Sequence, residues 1–195
     1  MGSDQDLQIV KPAPLLAEYW PLFEEAAHLG PIVDLACGLG QNGLFLAAKG
    51  ISVVLIDGSQ GHLEAARRFA HKAEIQVDIR LMDLERVRVN PLEGIAPGGM
   101  LVFRYLHRPL IPAIQQSIRS GGVLMYETFT RDQSRFGRPH NPGYLLQPEE
   151  LKRWFKGWKI LHYFEGVKEN PSRAIAQIVC RKQAGAEIFQ SIPSA

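Results

Sequence analysis

The run Pro31-Ile-Val-Asp34-Leu-Ala-Cys37-Gly38-Leu-Gly40-Gln-Asn-Gly43 constrains this chain more than any other stretch. Its apolar, β-branched start reads as a buried strand and its glycines as a tight turn. Leu44-Phe-Leu-Ala-Ala48 then reads as a helix. A strand, a glycine turn and a helix N-terminus together make a site for a nucleotide-like ligand. Gly38 and Gly40 let the backbone bend sharply and approach that ligand closely. The glycine spacing is shared by several ligand classes, and Asp34 narrows the choice. A carboxylate at the end of a buried strand is costly unless it meets a cation or good donors. A pyrophosphate would repel Asp34, whereas the ammonium of an amino-acid-like ligand would be attracted to it.

Two further apolar runs end in acids. Ile51 to Asp57 places a carboxylate about twenty residues beyond the first glycine, where parallel-sheet nucleotide sites hold ribose hydroxyls. Ile75 to Asp83 is the third such run, so three strand ends would line one carboxyl edge of a sheet. Around them strands and helices alternate, which predicts βαβ units and a parallel sheet. Leu15 to Leu29 has helical spacing, with Pro21 expected to kink or split it. Helices are expected over Gln60 to Lys72, Pro109 to Arg119 and Pro148 to Phe155. Trp158 to Glu165 and Ser172 to Cys180 read as two final strands, and their short connection favours an antiparallel pair at the sheet edge.

A chain of 195 residues, 46% of them hydrophobic, suits one domain. Its expected parts are a helical segment at 12–29, sheet and ligand site at 31–129, a loop or lid at 130–147, a helix and strand pair at 148–182, and a loose tail at 183–195. A net charge of +2 is too mild to indicate a nucleic-acid partner. No stretch reaches the roughly twenty apolar residues of a membrane span. Two cysteines and an N-terminus without a signal-peptide pattern point to a reducing, cytoplasmic setting. No HExxH or paired CxxC spacing suggests a metal site.

Taken together, these features resemble class I S-adenosylmethionine-dependent methyltransferases, particularly the small tellurite-resistance-type and related small-molecule enzymes. Val102-Phe-Arg-Tyr-Leu-His107-Arg-Pro109 and Gly121-Gly-Val-Leu-Met-Tyr-Glu127-Thr-Phe129 resemble that group's fourth and fifth strands. Gly137-Arg-Pro-His-Asn-Pro142 and Leu145-Leu-Gln-Pro-Glu-Glu-Leu151 resemble its later loop and helix. The likeness runs from about Pro12 to Cys180. It implies an α/β, Rossmann-like methyltransferase fold: a seven-stranded, mostly parallel sheet with one antiparallel strand and helices on both faces.

It also implies S-adenosylmethionine as cofactor. Asp34 would sit near the methionine ammonium, through water, with Gly38 and Gly40 under the ligand. Asp57, with Gly58 beside it, would hold the ribose hydroxyls. Asp83 and the backbone of Leu84 would face the adenine edge, and Arg104 would offer backbone contacts to the methionine end. Ala36 stands where a glycine is usual and Gln41 where relatives often carry arginine. The fourth strand opens on Gly98-Gly99-Met100 without the acid often found there.

For the reaction itself, His107, Glu127 and Tyr105 lie at the rim of the fourth and fifth strands as candidate bases or acceptor contacts. Each reads equally as a packing or loop-bonding residue. Arg135 and Arg138 give the long loop a positive character suited to an anionic small-molecule acceptor, or to a solvated surface. Two rival functions share the glycine turn: a nicotinamide-dependent oxidoreductase, and a protein that binds S-adenosylmethionine without chemistry. The oligomeric state is not legible.

Overall fold

In the computed structural model, residues 11–86 and 90–185 are described. Among them, seven strands form one sheet: β1 (Ile32–Leu35), β2 (Val53–Asp57), β3 (Asp78–Leu81), β4 (Gly99–Phe103), β5 (Val123–Phe129), β6 (Lys159–Lys168) and β7 (Arg173–Arg181). Their order across the sheet is β3-β2-β1-β4-β5-β7-β6. The first five are parallel, and β7 runs antiparallel to both β5 and β6. The strand order reverses between β1 and β4, which is where open α/β sheets leave a crevice at the carboxyl ends. This is the architecture expected from the sequence.

Six α-helices among the described residues flank the sheet: α1 (Pro14–Tyr19), α2 (Pro21–Ala26), α3 (Gln41–Ala47), α4 (Gln60–Lys72), α5 (Ile111–Ser117) and α6 (Glu150–Trp154). Pro21 divides the N-terminal segment into α1 and α2, because proline suits a first helical turn better than an interior. The α4 bounds match expectation. Ser59 caps it by accepting from the amide of His62 at 3.3 Å. The third strand is shorter than expected, so Asp83 lies two residues beyond it, on the following turn. Of the tail expected to be loose, residues 186–195 lie outside the described residues, as does the extreme N-terminus.

Alternation along the strands sends side chains into two apolar layers. Val33, Leu35, Met100, Val102 and Tyr126 pack with Ile111, Ile114, Leu151 and Trp154 on one face. Ile32, Leu55, Leu101 and Met125 pack with Leu16, Phe23, Leu44 and Ala66 on the other. No helix among the described residues is long and apolar enough to cross a membrane. Cys37 and Cys180 are both free thiols, raised in pKa by burial above all.

Gly43, in the first turn of α3, shows how tightly α3 sits on the sheet. A Cβ there would lie 2.3 Å from Leu55 Cδ2 and 3.1 Å from both Val53 Cγ1 and Asp34 Oδ2. Alanine would gain up to about 1 kcal/mol in helix propensity. Overpacking against a buried leucine costs about 1–3 kcal/mol. Gly43→Ala is therefore expected to lower the urea midpoint of unfolding, and a raised midpoint would contradict this packing.

Candidate functional site

The carboxyl ends of β1, β2 and β4 converge on one rim, and hydrogen bonds tie them together. Asp34, one residue before the end of β1, has 2% of its surface exposed. Its Oδ2 accepts from the amide of Gly43 at 2.8 Å. Asp57 ends β2 with both oxygens engaged. Oδ2 accepts from Gly38 N and Oδ1 from Ser59 N, each at 2.8 Å. The glycine turn of β1 is thus held to the end of β2 by this carboxylate and by the amide of Cys37, which donates to Ile56 O at 3.0 Å. His62 Nδ1 lies 3.5 Å from Asp57 Oδ1. From the sequence, His62 reads as an ordinary helix histidine without a role. The signal that could have found it is its place three residues after the capping Ser59, on the turn that faces Asp57.

The backbone of this rim is shaped for a ligand. Gly38 has φ +56°, and a Cβ there would point into open space, so the turn is bare on its outer side. Ala36 and Arg104, just past β1 and β4, also take left-handed φ values of 56° and 55°. Such conformations cost non-glycine residues about 1–3 kcal/mol and cluster at functional sites. The Ala36 side chain packs against the apolar layer that includes α5 and α6. Gly58 runs beside the next turn: a Cβ on it would lie 3.5 Å from Met82 O. There Asp83 is exposed and accepts from Glu85 N at 3.0 Å, while Leu84 is buried. Asp34, Ala36, Gly38, Asp57, Gly58, Asp83, Leu84 and Arg104 therefore share one edge. Gly40, φ 78°, begins α3 below it.

Beside this edge is a cleft of about 410 Å³ lined by Glu85, Arg104, Tyr105, Thr128, Phe129, Arg138 and Tyr144, among others. Tyr105 Oη is buried there with no hydrogen-bond partner among the described residues. A buried, unmatched hydroxyl is expensive in a finished structure and points to a missing partner. Burial, then the carboxylates of Glu85, Asp83 and Asp57, hold the Tyr105 phenol above its usual range, so it acts as a neutral donor. A larger groove of about 1450 Å³ reaches the amino ends of β1 and β2 between α3, α4 and β3. None of the rim carboxylates lines it.

The other candidates separate. Arg138 lines the cleft, whereas Arg135 is exposed beside the ring of Phe136, 5.8 Å from its centroid. His107 begins the 3₁₀ turn after β4, its carbonyl accepting from Leu110 N at 3.0 Å, and does not line the cleft. Glu127 is 3% exposed and accepts from Gln177 Nε2 on β7. Gln177 Oε1 meets His162 Nε2 at 3.4 Å, and His162 Nδ1 meets the Tyr19 hydroxyl at 3.3 Å. Glu127 thus belongs to a polar chain leading to α1. Sequence reasoning also misses Glu85, Thr128, Phe129 and Tyr144, which no local pattern marks. Among the described residues no group of three or more His, Cys, Asp or Glu is gathered for a metal.

A family model described as "Tellurite resistance protein TehB" matches residues 24–174. The chain belongs to the TehB family. TehB of Haemophilus influenzae is 24% identical over 143 residues, covering 71% of this chain and 49% of the relative. The chain therefore spans about half the length of the curated relatives it matches. A ubiquinone biosynthesis O-methyltransferase from Dinoroseobacter shibae is 27% identical over 107 residues, 54% of this chain and 43% of that one. In three dimensions, the crystal structure of Haemophilus influenzae TehB aligns with a TM-score of 0.67 and 20% identity. It covers 85% of this chain and 62% of that one. A Methanosarcina mazei S-adenosylmethionine-dependent methyltransferase gives 0.65 and 15%, covering 88% and 98%. The fold is the Rossmann-like one of these methyltransferases.

The Asp34 carboxyl is pushed up to about 7 by burial and by the Asp57 charge, against the pull of the Gly43 amide. The folded protein keeps this proton to about pH 7, whereas the unfolded chain releases it near 3.8. Its contribution to stability is complete below that lower value and is lost as pH rises through the upper one. Each tenfold gain in proton affinity on folding corresponds to about 1.4 kcal/mol. Denaturation midpoints of Asp34→Asn, compared with the parent, should lack this declining limb. A parallel decline in both proteins would assign it to other groups.

Proposed function

We propose that this protein transfers a methyl group from S-adenosylmethionine to a small, anionic acceptor. The observation that carries the reading is the bare glycine turn held to the Asp57 carboxylate and flanked by buried Asp34. It offers one carboxylate for ribose hydroxyls and another for an ammonium, as an aminoacyl nucleoside requires. Membership of the TehB family and the methyltransferases among its relatives support the same reading.

The rim residues fit that cofactor. Asp34 would stabilise the ammonium, directly or through water, and Gly38 leaves room for the ligand's main chain, while Gly40 lets the same turn pack against Leu55 and Ala66 beneath it. Asp57 would accept the ribose hydroxyls on its remaining lone pairs while keeping its amide contacts, beside Gly58. Asp83 and the backbone of Leu84 would meet the adenine edge, and the backbone of Arg104 the methionine end. When bound, S-adenosylmethionine supplies a methyl already activated by the sulfonium. What remains for the protein is to hold a nucleophile in line with that methyl and exclude water.

Arg104 and Arg138 bring two guanidinium groups to the neighbouring cleft against the single carboxylate of Glu85, and Tyr105 lines it beside them. A soft nucleophile, such as a thiolate or a chalcogen oxyanion, needs no proton removed and suits a cleft that lacks His107 and Glu127. Anion recognition by Arg138 is the reason for expecting a charged acceptor. Nothing in this cleft requires a macromolecular partner, and the two free cysteines fit a protein acting in a reducing, cytoplasmic setting.

Calorimetric titration with S-adenosylhomocysteine tests the cofactor half. Binding should be lost in Asp57→Ala, should strengthen between about pH 6 and pH 8 as Asp34 ionises, and should have no counterpart with NADH. NADH binding alone would overturn the assignment. Assays with tellurite test the acceptor half. Arg138→Ala should raise KM roughly ten-fold, the scale of a charge-assisted hydrogen bond, while Arg135→Ala leaves it unchanged. Equal effects of the two would remove Arg138 from the acceptor site.

A further inference from the structure

Arg108 follows His107 where the chain leaves β4, and it reaches across 42 residues of sequence to Glu150. Its Nε donates to Glu150 Oε1 at 2.8 Å and its Nη2 to Oε2 at 2.9 Å, a bidentate pair. The same guanidinium donates from Nη1 to the Gly143 carbonyl and from Nη2 to the Leu145 carbonyl, both at 2.9 Å. Glu150 Oε2 also accepts from Gln147 N at 2.8 Å. The Glu150 side chain is 10% exposed and the Arg108 side chain 36%. The carboxylate is thus partly withdrawn from solvent, where such a pair resists screening better than an exposed one.

The two carbonyls that Arg108 grips flank Tyr144. Tyr144 is half-exposed yet lines the cleft with Glu85, Tyr105 and Arg138. It belongs to neither buried apolar cluster. The backbone on either side of it is held by Arg108, from the 3₁₀ turn that follows β4. The segment after β4 that brings Arg104 and Tyr105 to one side of the cleft therefore holds the opposite wall as well.

We propose that Arg108 is a positioning residue for the methyl acceptor: with Glu150 it holds the Gly143–Leu145 backbone so that Tyr144 closes the acceptor cleft. The inference rests on the methyl-transfer reading, but the clamp has a test that does not depend on turnover. Lysine keeps the charge of Arg108 but presents a single ammonium in place of a planar fork, and it cannot hold the carboxylate and both carbonyls in this geometry.

The experiment compares the parent protein with Arg108→Lys, Glu150→Gln and Tyr144→Ala. Amide exchange is measured first, with S-adenosylhomocysteine titration alongside. In the two clamp variants, exchange at Tyr144, Leu145 and Gln147 should accelerate about ten-fold or more. Amides of the central strands should stay unchanged and S-adenosylhomocysteine affinity should remain within about two-fold. With tellurite as acceptor, KM should rise about five-fold or more at nearly constant kcat. Tyr144→Ala should reproduce the KM rise without the faster exchange at Gln147. Unchanged exchange in the clamp variants would overturn the proposal, as would faster exchange with an unaltered KM. Loss of cofactor affinity together with faster exchange throughout would reduce Arg108 to a general stabilising role and overturn it too. If the parent bound S-adenosylhomocysteine but left tellurite unmethylated, the acceptor reading would fail and local exchange would decide the clamp.

Discussion

One carboxylate holds the rim of this protein together. Asp57 ends β2, yet it accepts the amide of Gly38 from the turn after β1 and that of Ser59 at the start of α4. Three segments with different directions are thereby fixed to one pair of oxygens. Backbone amides that leave regular structure need partners when partly buried, and a charged acceptor is the strongest one available. The turn can stay bare on its outer face because it is tied from within.

Asp34 works under a different constraint. It is buried on the strand next to Asp57 and has one backbone donor, so burial and its neighbour both resist its ionisation. A cationic group arriving at the rim changes that balance by supplying the countercharge that the protein withholds. The site is consequently more costly to keep charged when empty of a cation than when one is present. The molecule keeps this tension on a β1–α3 unit braced by the contact between Gly43 and Leu55.

Much of this was legible in the sequence because it is local. Three apolar runs ending in acids located the rim, Pro21 divided the first helical segment, and Gln60 to Lys72 stood out as α4. The alternation of strands and helices pointed to βαβ units and a parallel sheet, and the family resemblance to its seven strands. What stayed hidden depends on distance along the chain or on backbone angle. Nothing local links Arg108 to Glu150, and no propensity scale marks Ala36 or Arg104 as left-handed. Glu127 and Thr128 are adjacent, yet strand alternation sends only Thr128 to the cleft, with Glu127 bonded to Gln177. The two loop arginines were indistinguishable until folding placed Arg138 on the cleft wall and left Arg135 beside Phe136.

The segment after β5 leaves and re-enters the body of the protein at nearly one point. Thr130 and Leu146 form a parallel bridge, Arg131 N donates to Leu146 O at 3.1 Å, and Leu146 N to Phe129 O at 2.9 Å. Gln133 adds a second anchor, its Oε1 accepting from Ala174 N at 2.9 Å and its Nε2 donating to Arg138 O at 3.2 Å. A loop whose ends already meet has its closure entropy settled by the scaffold, and doubling its length costs only about 0.6 kcal/mol. The stretch between those anchors is accordingly an exchangeable cassette. Grafts of different length and chemistry can be swapped there while the sheet and the rim of carboxylates are left as they are.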